Sequence, residues 1–339
     1  MSIPLLEARN VTRVFGTGLF KKTGNVAVDN ISLTISEDRP TITAIAGESG
    51  SGKTTLARLL LGALPATEGE VLYKGDPLSK LSRHKWREFR REVQTIFQDP
   101  FDAFNPFYKV DHVLTVPLSI FKLARSRQEA NSQIVEALEL VGLRAEDTLG
   151  RYPHQLSGGQ RQRLMVARAL LLKPKVILAD EPVSMVDASL RATILESILK
   201  LKEERSITVL YITHDLTTAY QVSDRMIVLY KGSIAEAGDV EQVIHDPQHP
   251  YTKLLISSIP QPDPKEKWEK DAHGGALRPL TPGGCKFVDR CPAAFDRCHS
   301  TLPPLYMSSP GRAAACFLYR DHPVVEASEV LDTTAQPAL

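Results

Sequence analysis

An alternation of apolar and polar residues marks the beginning of the chain. The segments LEARNVTRV and VAVDNISLTI, between Leu6 and Ile35, alternate with a period of two on either side of a glycine-rich break. This pattern predicts an antiparallel β pair or meander. The runs GEVLY and VQTIFQ predict further strands, and the short charged segment RHKWREFRRE between them predicts a helix.

A helical pattern replaces the β pattern between Pro100 and about Leu156. In the segment SRQEANSQIVEALELVG, apolar residues recur at helical spacing, and Gly142 follows as a stop signal. We therefore expect a helical insertion in this part of the chain.

Strands and helices alternate in the second half of the chain. VILAD and TVLYITHD are apolar runs typical of buried parallel strands, and the segment SLRATILESILKLKEE between them has the pattern of an amphipathic helix. RMIVLYKGSIAEAG predicts a hairpin that turns at Lys231 and Gly232. This order predicts an α/β core with a parallel sheet. Beyond Asp246 periodicity is poor and Pro, Gly and Cys are frequent, which suggests a separate C-terminal extension.

Composition narrows the class of protein. The chain has 339 residues, enough for two or three domains, and a net charge of +1, which argues against a general nucleic-acid binder. No stretch approaches about 18 uninterrupted apolar residues, so we expect no membrane-spanning helix. The N-terminal residues lack the pattern of a secretory signal, and we therefore expect a reducing compartment in which disulfides are disfavoured.

The segment GESGSGKTT lies between a predicted strand, TITAIA, and a predicted helix, TLARLLLGAL. Gly47, Gly52, Lys53 and Thr54 match the P-loop pattern G-x-x-x-x-G-K-[ST]. Glycines let successive backbone N–H groups surround an anion, and the helix N-terminus adds its dipole. A flexible linker is the alternative, but a linker seldom joins a buried strand to an amphipathic helix. We therefore predict a nucleoside triphosphate site.

Two further motifs carry chemistry that suits such a site. The apolar strand VILADE ends in Asp180, suited to hold Mg²⁺ through water, and Glu181, suited to act as a general base. The alternative for this pair is a solvated acidic turn. In LSGGQRQR, Ser157 and the following glycines place a second cluster of N–H groups at a helix start, and the alternative is a simple helix cap.

The motifs and their order resemble those of the ATP-binding subunit of an ABC transporter, over nearly the whole chain. The resemblance rests on Gly47–Thr55, Gln98, Leu156–Gln160, Asp180–Glu181, Ser184–Asp187 and His214. It implies an α/β P-loop NTPase fold of the ABC type, with a RecA-like core, an antiparallel β subdomain and an α-helical subdomain. It also implies an ATPase domain at residues 1–245, with the helical subdomain at about 100–165, and a small Cys-containing extension at residues 246–339.

The resemblance also implies residue roles within a head-to-tail dimer that encloses ATP between two subunits. The expected ATP-binding residues are Phe15, Gly47, Glu48, Ser49, Gly50, Ser51, Gly52, Lys53, Thr54 and Thr55. The expected catalytic residues are Glu181, His214 and Gln98, and the expected Mg²⁺ residues are Thr54, Gln98 and Asp180. The expected contacts to the partner's ATP are Ser157, Gly158, Gly159 and Gln160, and Asp187 is expected to cross the dimer interface. Phe15 could equally be a core aromatic, Gln98 a loop glutamine and His214 a structural histidine.

The segment HPYTKLLISSIP, His249 to Pro260, and the Cys-rich tail resemble the oligopeptide/dipeptide importer subfamily. The resemblance implies two permeases, a second ATPase that is a homologous heterodimer partner, an extracytoplasmic solute-binding protein and a place at the cytoplasmic face of the membrane. The sequence after Gln98 differs from the usual motif of the subfamily, in the segment FQDPFDAFNPFYKVDHVL. A cello- or xylo-type oligosaccharide is therefore the alternative solute. A DNA-maintenance ATPase, which would bind nucleic acid, and a non-hydrolysing regulatory module are further alternatives.

All four cysteines lie in the tail, in the spacing C-x5-C-x6-C-x17-C. Structural zinc sites usually have close C-x2–4-C pairs, whereas iron–sulfur clusters tolerate wider spacings. The local sequence also resembles the cluster-bearing tail of some oligopeptide/dipeptide importer ATPases. We therefore expect Cys285, Cys291, Cys298 and Cys316 to bind a 4Fe-4S cluster with a structural role far from the ATP. Zinc and unliganded thiols remain the alternatives.

Overall fold

The computed structural model describes residues 3–16, 24–99, 104–184, 186, 188–259 and 283–331. The strands are β1 Leu6–Phe15, β2 Asn25–Ile35, β3 Ile42–Ala46, β4 Glu68–Tyr73, β5 Asp76–Pro77, β6 Val93–Ile96, β7 Val176–Asp180, β8 Thr208–Ile212, β9 Arg225–Tyr230, β10 Ser233–Asp239, β11 Tyr306–Ser309 and β12 Arg312–Ala314. The helices are α1 Lys53–Leu60, α2 Arg83–Glu92, α3 Val110–Phe121, α4 Arg127–Leu140, α5 Ala145–Thr148, α6 Gly158–Leu170, α7 Ala188–Arg205, α8 Leu216–Val222, α9 Val240–His245, α10 Pro250–Ser257, α11 Asp296–Ser300 and α12 Ala327–Leu331.

The alternating segments at the beginning of the chain form a small antiparallel sheet. Its strand order is β2-β1-β4-β5, and β1 pairs with β2 from Leu6 opposite Ile35 to Phe15 opposite Asn25. The predicted β pair is therefore confirmed. The charged segment after β5 forms α2, which is capped by Ser82, whose side chain accepts a hydrogen bond from the Lys85 N–H.

The larger sheet has the order β11-β12-β10-β9-β3-β8-β7-β6. Its β9-β3-β8-β7-β6 portion is parallel, and β10 turns back antiparallel to β9 at Lys231 and Gly232, as predicted. The predicted α/β core with a parallel sheet is confirmed. Because all these parallel strands point the same way, their carboxyl ends lie along one edge of the sheet.

Both faces of the parallel sheet are covered, which explains its continuous apolar strands. In β8, Val209 and Tyr211 belong to the core on the helical-insertion side, whereas Leu210 and Ile212 belong to the core that also contains residues of β1, β2 and α1. Helix α1, which follows the P-loop, packs against both sheets. The helix thus ties the small sheet to the large one.

The helical insertion contains α3 to α6. Helix α4 is capped by Ser126, whose side chain accepts a hydrogen bond from the Glu129 N–H, and Gly142 follows the helix with φ 66°. Residues Ile134, Ala137 and Leu138 of α4 are buried, as their spacing predicts. Among the described residues, no helix is both long and apolar enough to cross a membrane.

The C-terminal extension contributes two strands to the large sheet. Strand β12 pairs with β10, with Glu236 opposite Ala314, and β11 pairs with β12. Helix α12 packs against β2, β10 and β12. The division of the chain at residues 245 and 246 stays a prediction, and in the structure the extension packs directly on the core.

Candidate nucleotide-binding site

Four predicted site segments meet at the carboxyl edge of the parallel sheet. The P-loop follows β3, Gln98 lies just beyond β6, Glu181 follows β7 and His214 lies just beyond β8. Strands β3, β8, β7 and β6 are consecutive neighbours in the sheet. Residues that are far apart in the sequence are therefore brought to one edge, where open α/β sheets commonly bind ligands.

The backbone of the P-loop depends on its glycines. Gly47 and Gly52 have φ values of 148° and 105°, which side-chain-bearing residues rarely adopt. A Cβ added at Gly47 would lie 2.3 Å from the Leu229 carbonyl oxygen, and one at Gly52 would lie 2.3 Å from the Ala27 carbonyl oxygen. Gly52 is the N-cap of α1 and has no side chain with which to cap the helix, so this helix start can offer its N–H groups to an anion.

Lys53 is buried beneath this loop. Its Nζ donates to the carbonyl oxygens of Gly47 at 2.7 Å and Glu48 at 2.9 Å. Burial lowers the pKa of Lys53, while Glu181, Asp180 and Glu48 oppose that shift. The ammonium group is thus held inside the curve of the loop, near two carboxylates at the end of β7.

Glu181 connects the two other predicted catalytic residues. Its Oε2 accepts a hydrogen bond from Gln98 Nε2 at 2.8 Å, and its Oε1 lies 2.8 Å from His214 Nδ1. Glu181 has φ 46°, a left-handed conformation that is unfavourable for a residue with a side chain, and its N–H donates to the Ile212 carbonyl. The structure therefore brings together the three side chains that the sequence assigned to catalysis.

Asp180 and Thr54 form the part of the site that suits a divalent cation. Burial raises the pKa of the Asp180 carboxyl, and the neighbouring Thr54 side chain opposes that shift. Asp180 Oδ1 is buried and has no hydrogen-bond partner among the described residues. A buried carboxylate oxygen of this kind gains from a cation or its water shell, and oxygen ligands are those that Mg²⁺ prefers.

The signature segment begins α6 in a different way from the P-loop. The Ser157 Oγ accepts from the Gln160 N–H at 3.2 Å, and the Gln160 side chain accepts from the Ser157 N–H at 2.9 Å. This reciprocal pair is a capping box, so the helix start is partly satisfied by its own side chains. One turn later, Gln162 Nε2 donates to the Phe97 carbonyl at 3.4 Å, which links α6 to the residue before Gln98.

The remaining predicted positions are placed as follows. Phe15 ends β1, is 39% exposed and lies beneath the Arg13 guanidinium, 4.8 Å from the ring centroid. Within the P-loop, Ser49 and Gly50 are exposed, Ser51 is buried, and Thr55 is half-buried. Gly158 is half-buried and Gly159 is buried at the start of α6. Asp187 lies outside the described residues.

The four cysteines of the tail line one largely apolar cavity together with Phe287, Phe295 and Phe317. Burial raises the pKa of the Cys285, Cys291 and Cys316 thiols, the last to about 11, and backbone N–H groups two residues further on oppose each shift. In the described part of the chain, no group of three or more His, Cys, Asp or Glu side chains is arranged to hold a metal ion.

The C-terminal extension reaches the P-loop, which the expected role of the cysteines far from the ATP did not foresee. Arg290, next to Cys291, lies 3.2 Å from the carboxylate of Glu48 in the P-loop. The Tyr251 hydroxyl, from the HPYT segment, accepts a hydrogen bond from the Glu48 N–H at 2.9 Å. Neither contact was predicted from the sequence, because nothing in the residues around Tyr251 or Arg290 indicates a partner 203 or 242 residues away, respectively.

Comparison with known proteins places these motifs in context. Residues 28–184 match the family described as ABC transporter, and residues 235–298 match the oligopeptide/dipeptide transporter C-terminal region. A putative oligopeptide transport ATP-binding protein of Bacillus subtilis is 41% identical over 94% of this chain and 97% of its own. The oligopeptide transport ATP-binding protein of Haemophilus influenzae is 39% identical over 80% of this chain and 83% of its own.

Solved structures share the fold. The dimeric post-hydrolysis structure of the ATP-binding cassette MJ0796, bound to ADP and phosphate, aligns with a TM-score of 0.62 at 30% identity. The alignment covers 69% of this chain and 98% of that one. These matches confirm the predicted α/β nucleotide-binding fold.

Proposed function

The chain belongs to the family of ABC transporter ATP-binding subunits and is an ATPase, and we propose that its ATP hydrolysis drives the uptake of oligopeptides or dipeptides. The observation that carries this proposal is the combination, in one chain, of a nucleotide site with a C-terminal region matched to oligopeptide/dipeptide transporters. The relatives named above are described as oligopeptide transport proteins, which favours peptides over the oligosaccharide alternative.

We propose the following roles for the residues of the site in ATP binding and hydrolysis. The P-loop N–H groups and Lys53 bind the phosphates, Thr54 and Asp180 hold Mg²⁺ with help from Gln98, and Phe15 contacts the adenine. Glu181 takes the proton from the attacking water, and its contacts with Gln98 and His214 fix the direction of its carboxylate. Mg²⁺ held by Thr54 and Asp180 would supply positive charge beside the transferred γ-phosphate.

The site is completed by a partner in this proposal. Ser157, Gly158, Gly159 and Gln160 contact ATP held by a second ATPase subunit, which we take to be a homologue, and Asp187 lies at that interface. Two permeases and an extracytoplasmic binding protein complete the importer, and the ATPase acts at the cytoplasmic face of the membrane. We assign no nucleic-acid partner.

The segment proposed to contact the permease comes shortly after Gln98 in the chain. In the segment FDAFNPFY, residues 101–103 lie outside the described residues, whereas Phe107 is 86% exposed and Tyr108 is more than half exposed. Because Gln162 of α6 contacts the Phe97 carbonyl, movement at Gln98 can reach the helical insertion. Crosslinks from Phe107 and Tyr108 to a permease would support this assignment, and crosslinks only to other proteins would contradict it.

The solute is tested on the complete transporter in vesicles. Peptides of two to about six residues and matched cello- and xylo-oligosaccharides are supplied with the binding protein, and ATP hydrolysis and solute uptake are measured. We expect peptides alone to stimulate both, and the Glu181→Gln complex to show neither. Stimulation by an oligosaccharide and not by peptides would replace the proposed solute while leaving the ATPase assignment intact.

We also propose that Cys285, Cys291, Cys298 and Cys316 hold a 4Fe-4S cluster. Their shared cavity supports this proposal, because it gathers all four cysteine side chains around one space. The apolar cluster Val288, Cys298, Tyr306 and Phe317 is small, so a cluster would stabilise this part of the fold.

The cluster is tested by anaerobic purification and analysis of iron, sulfide and zinc. We expect about four irons and four sulfides per chain, with brown colour lost in the Cys291→Ser variant and kept in a Ser300→Ala control. A colourless protein with one zinc, or with four titratable thiols and no metal, would overturn the cluster.

A further inference from the structure

We propose that Tyr251 and Arg290 of the C-terminal extension are positioning residues for the P-loop, and that they set the affinity for ATP by holding Glu48. The inference rests on the proposed role of the P-loop in binding phosphate. It assigns a nucleotide-binding task to the HPYT segment and to the segment from Cys285 to Cys291, neither of which contains a phosphate-binding motif.

Glu48 is held on three sides. Its N–H donates to the Tyr251 hydroxyl at 2.9 Å, its carbonyl accepts from Lys53 Nζ at 2.9 Å, and its carboxylate lies 3.2 Å from Arg290 Nη1. Two of these three contacts come from the extension. Since the third is to Lys53, the position of Glu48 bears directly on the group that faces the phosphates.

Tyr251 is a rigid support. It is fully buried and packs against Tyr230, with ring centroids 4.3 Å apart, and against Phe287 at 5.6 Å. Burial raises the pKa of its hydroxyl to about 12, so the hydroxyl stays neutral at physiological pH. Helix α10 is fixed in turn, because the ring Nδ1 of His249 accepts from the Tyr251 N–H at 3.0 Å and buried Glu236 accepts from the His249 N–H at 2.9 Å.

A second route runs from the same extension to the other end of the loop. Lys286 Nζ donates to the Lys231 carbonyl at 2.9 Å and pairs with Asp29 at 2.7 Å. The next residue in that turn, Gly232, donates its N–H to the Ser51 carbonyl at 2.9 Å. The segment around Cys285 and Cys291 therefore supports the P-loop at Glu48 directly and at Ser51 through the β9–β10 turn.

The two direct contacts to Glu48 are expected to contribute unequally to ATP affinity. Tyr251 satisfies a partly buried backbone N–H, and loss of such an acceptor is costly, so we expect Tyr251→Phe to weaken ATP binding about tenfold. The Arg290 and Glu48 side chains are 40% and 43% exposed, so water and salt screen their attraction. We therefore expect Arg290→Ala to weaken ATP binding only about threefold, and less at high salt.

The test uses the full chain and measures the Kd for a non-hydrolysable ATP analogue, KM and kcat for ATP, and the melting temperature. Arg297→Ala is the matched control, because Arg297 lies in the same extension with its guanidinium over the Phe317 ring. We expect Tyr251→Phe and Arg290→Ala to raise Kd and KM with kcat nearly unchanged, Arg290→Lys to recover part of the loss, and Arg297→Ala to leave Kd unchanged. Glu48→Ala combined with Arg290→Ala should be no worse than Glu48→Ala alone.

Three outcomes overturn the inference: unchanged Kd in both variants, an equal rise in Arg297→Ala, or a lower melting temperature without a rise in Kd. Lys53→Ala, measured in parallel, separates this inference from the proposed function. If Lys53→Ala also binds ATP normally, the P-loop assignment fails. If only Lys53→Ala loses binding, the P-loop assignment stands and the role of the extension fails.

Discussion

Two glycine-rich helix starts in this chain, the P-loop before α1 and the signature before α6, look alike in sequence and differ in structure. At the P-loop, Gly47 and Gly52 have positive φ, and the N-cap Gly52 has no side chain that could bond to the helix N–H groups. At the signature, Ser157 and Gln160 bond to each other's backbone N–H groups. The P-loop therefore offers free N–H groups to an anion, whereas the start of α6 at the signature is already capped. In the proposed dimer, the signature would contact a phosphate of the ATP bound by the partner subunit.

Lys53→Ala should cause the largest loss of ATP affinity. A small loss would contradict the proposed difference between the P-loop and the signature. We expect ATP affinity to fall more than about 100-fold, because the only cation within the curve of the described loop is removed from a site of low dielectric. Equilibrium binding of a fluorescent ATP analogue measures the change. Ser157→Ala in the same assay should bind ATP like the unmodified chain.

Glu181→Gln separates binding from chemistry on the P-loop side. We expect kcat to fall about 100- to 10,000-fold while ATP affinity is kept, because the amide retains the shape and loses the base. Single-turnover hydrolysis and nucleotide binding measure the two quantities. A Glu241→Gln variant, altered at an exposed helical carboxylate, serves as the control. Wild-type turnover in Glu181→Gln would show that another group is the base.

Ser157→Ala should reduce ATP hydrolysis about tenfold under conditions where two ATPase subunits associate. The variant lacks the hydroxyl, oriented by the Gln160 N–H, that is proposed to contact the partner's ATP. Loss of the cap should also lower the free energy of unfolding by about 1 kcal/mol.

Ser126→Ala is the matched control for that experiment. Ser126 caps α4 in the same way, by accepting from the Glu129 N–H, so its loss should cost about the same stability. Hydrolysis should nevertheless be unaffected by Ser126→Ala. An equal loss of hydrolysis in both variants would reduce the signature to a helix cap.

Phe15→Ala should give the smallest effect, a two- to tenfold loss of ATP affinity, which is about the value of one exposed aromatic contact. Phe107→Ala, also at an exposed aromatic, should leave ATP affinity unchanged. If both variants bind ATP equally well, Phe15 contributes nothing to ATP affinity. Binding at the P-loop would then depend on the phosphates and not on the adenine.

The sequence predicted the chemistry of the site because that chemistry is local. The P-loop residues lie in one short segment, and the strands VILAD and TVLYI carry Glu181 and His214 at their ends by simple alternation of strand and helix. Parallel strands in one sheet necessarily place such ends along one edge, so the contacts of Glu181 with Gln98 and His214 agree with the expected constellation.

The sequence by itself determined the α/β core, the small antiparallel sheet and the nucleotide motifs, since periodicity and loop chemistry are properties of neighbouring residues. Only the tertiary structure decided where the extension goes. Glu48 and Arg290 are 242 residues apart, and they meet where the extension lies against the core, with β12 paired to β10 and Tyr251 of α10 bonded to the Glu48 N–H. Packing of this kind depends on the shapes of distant surfaces, and no local pattern in the chain records it.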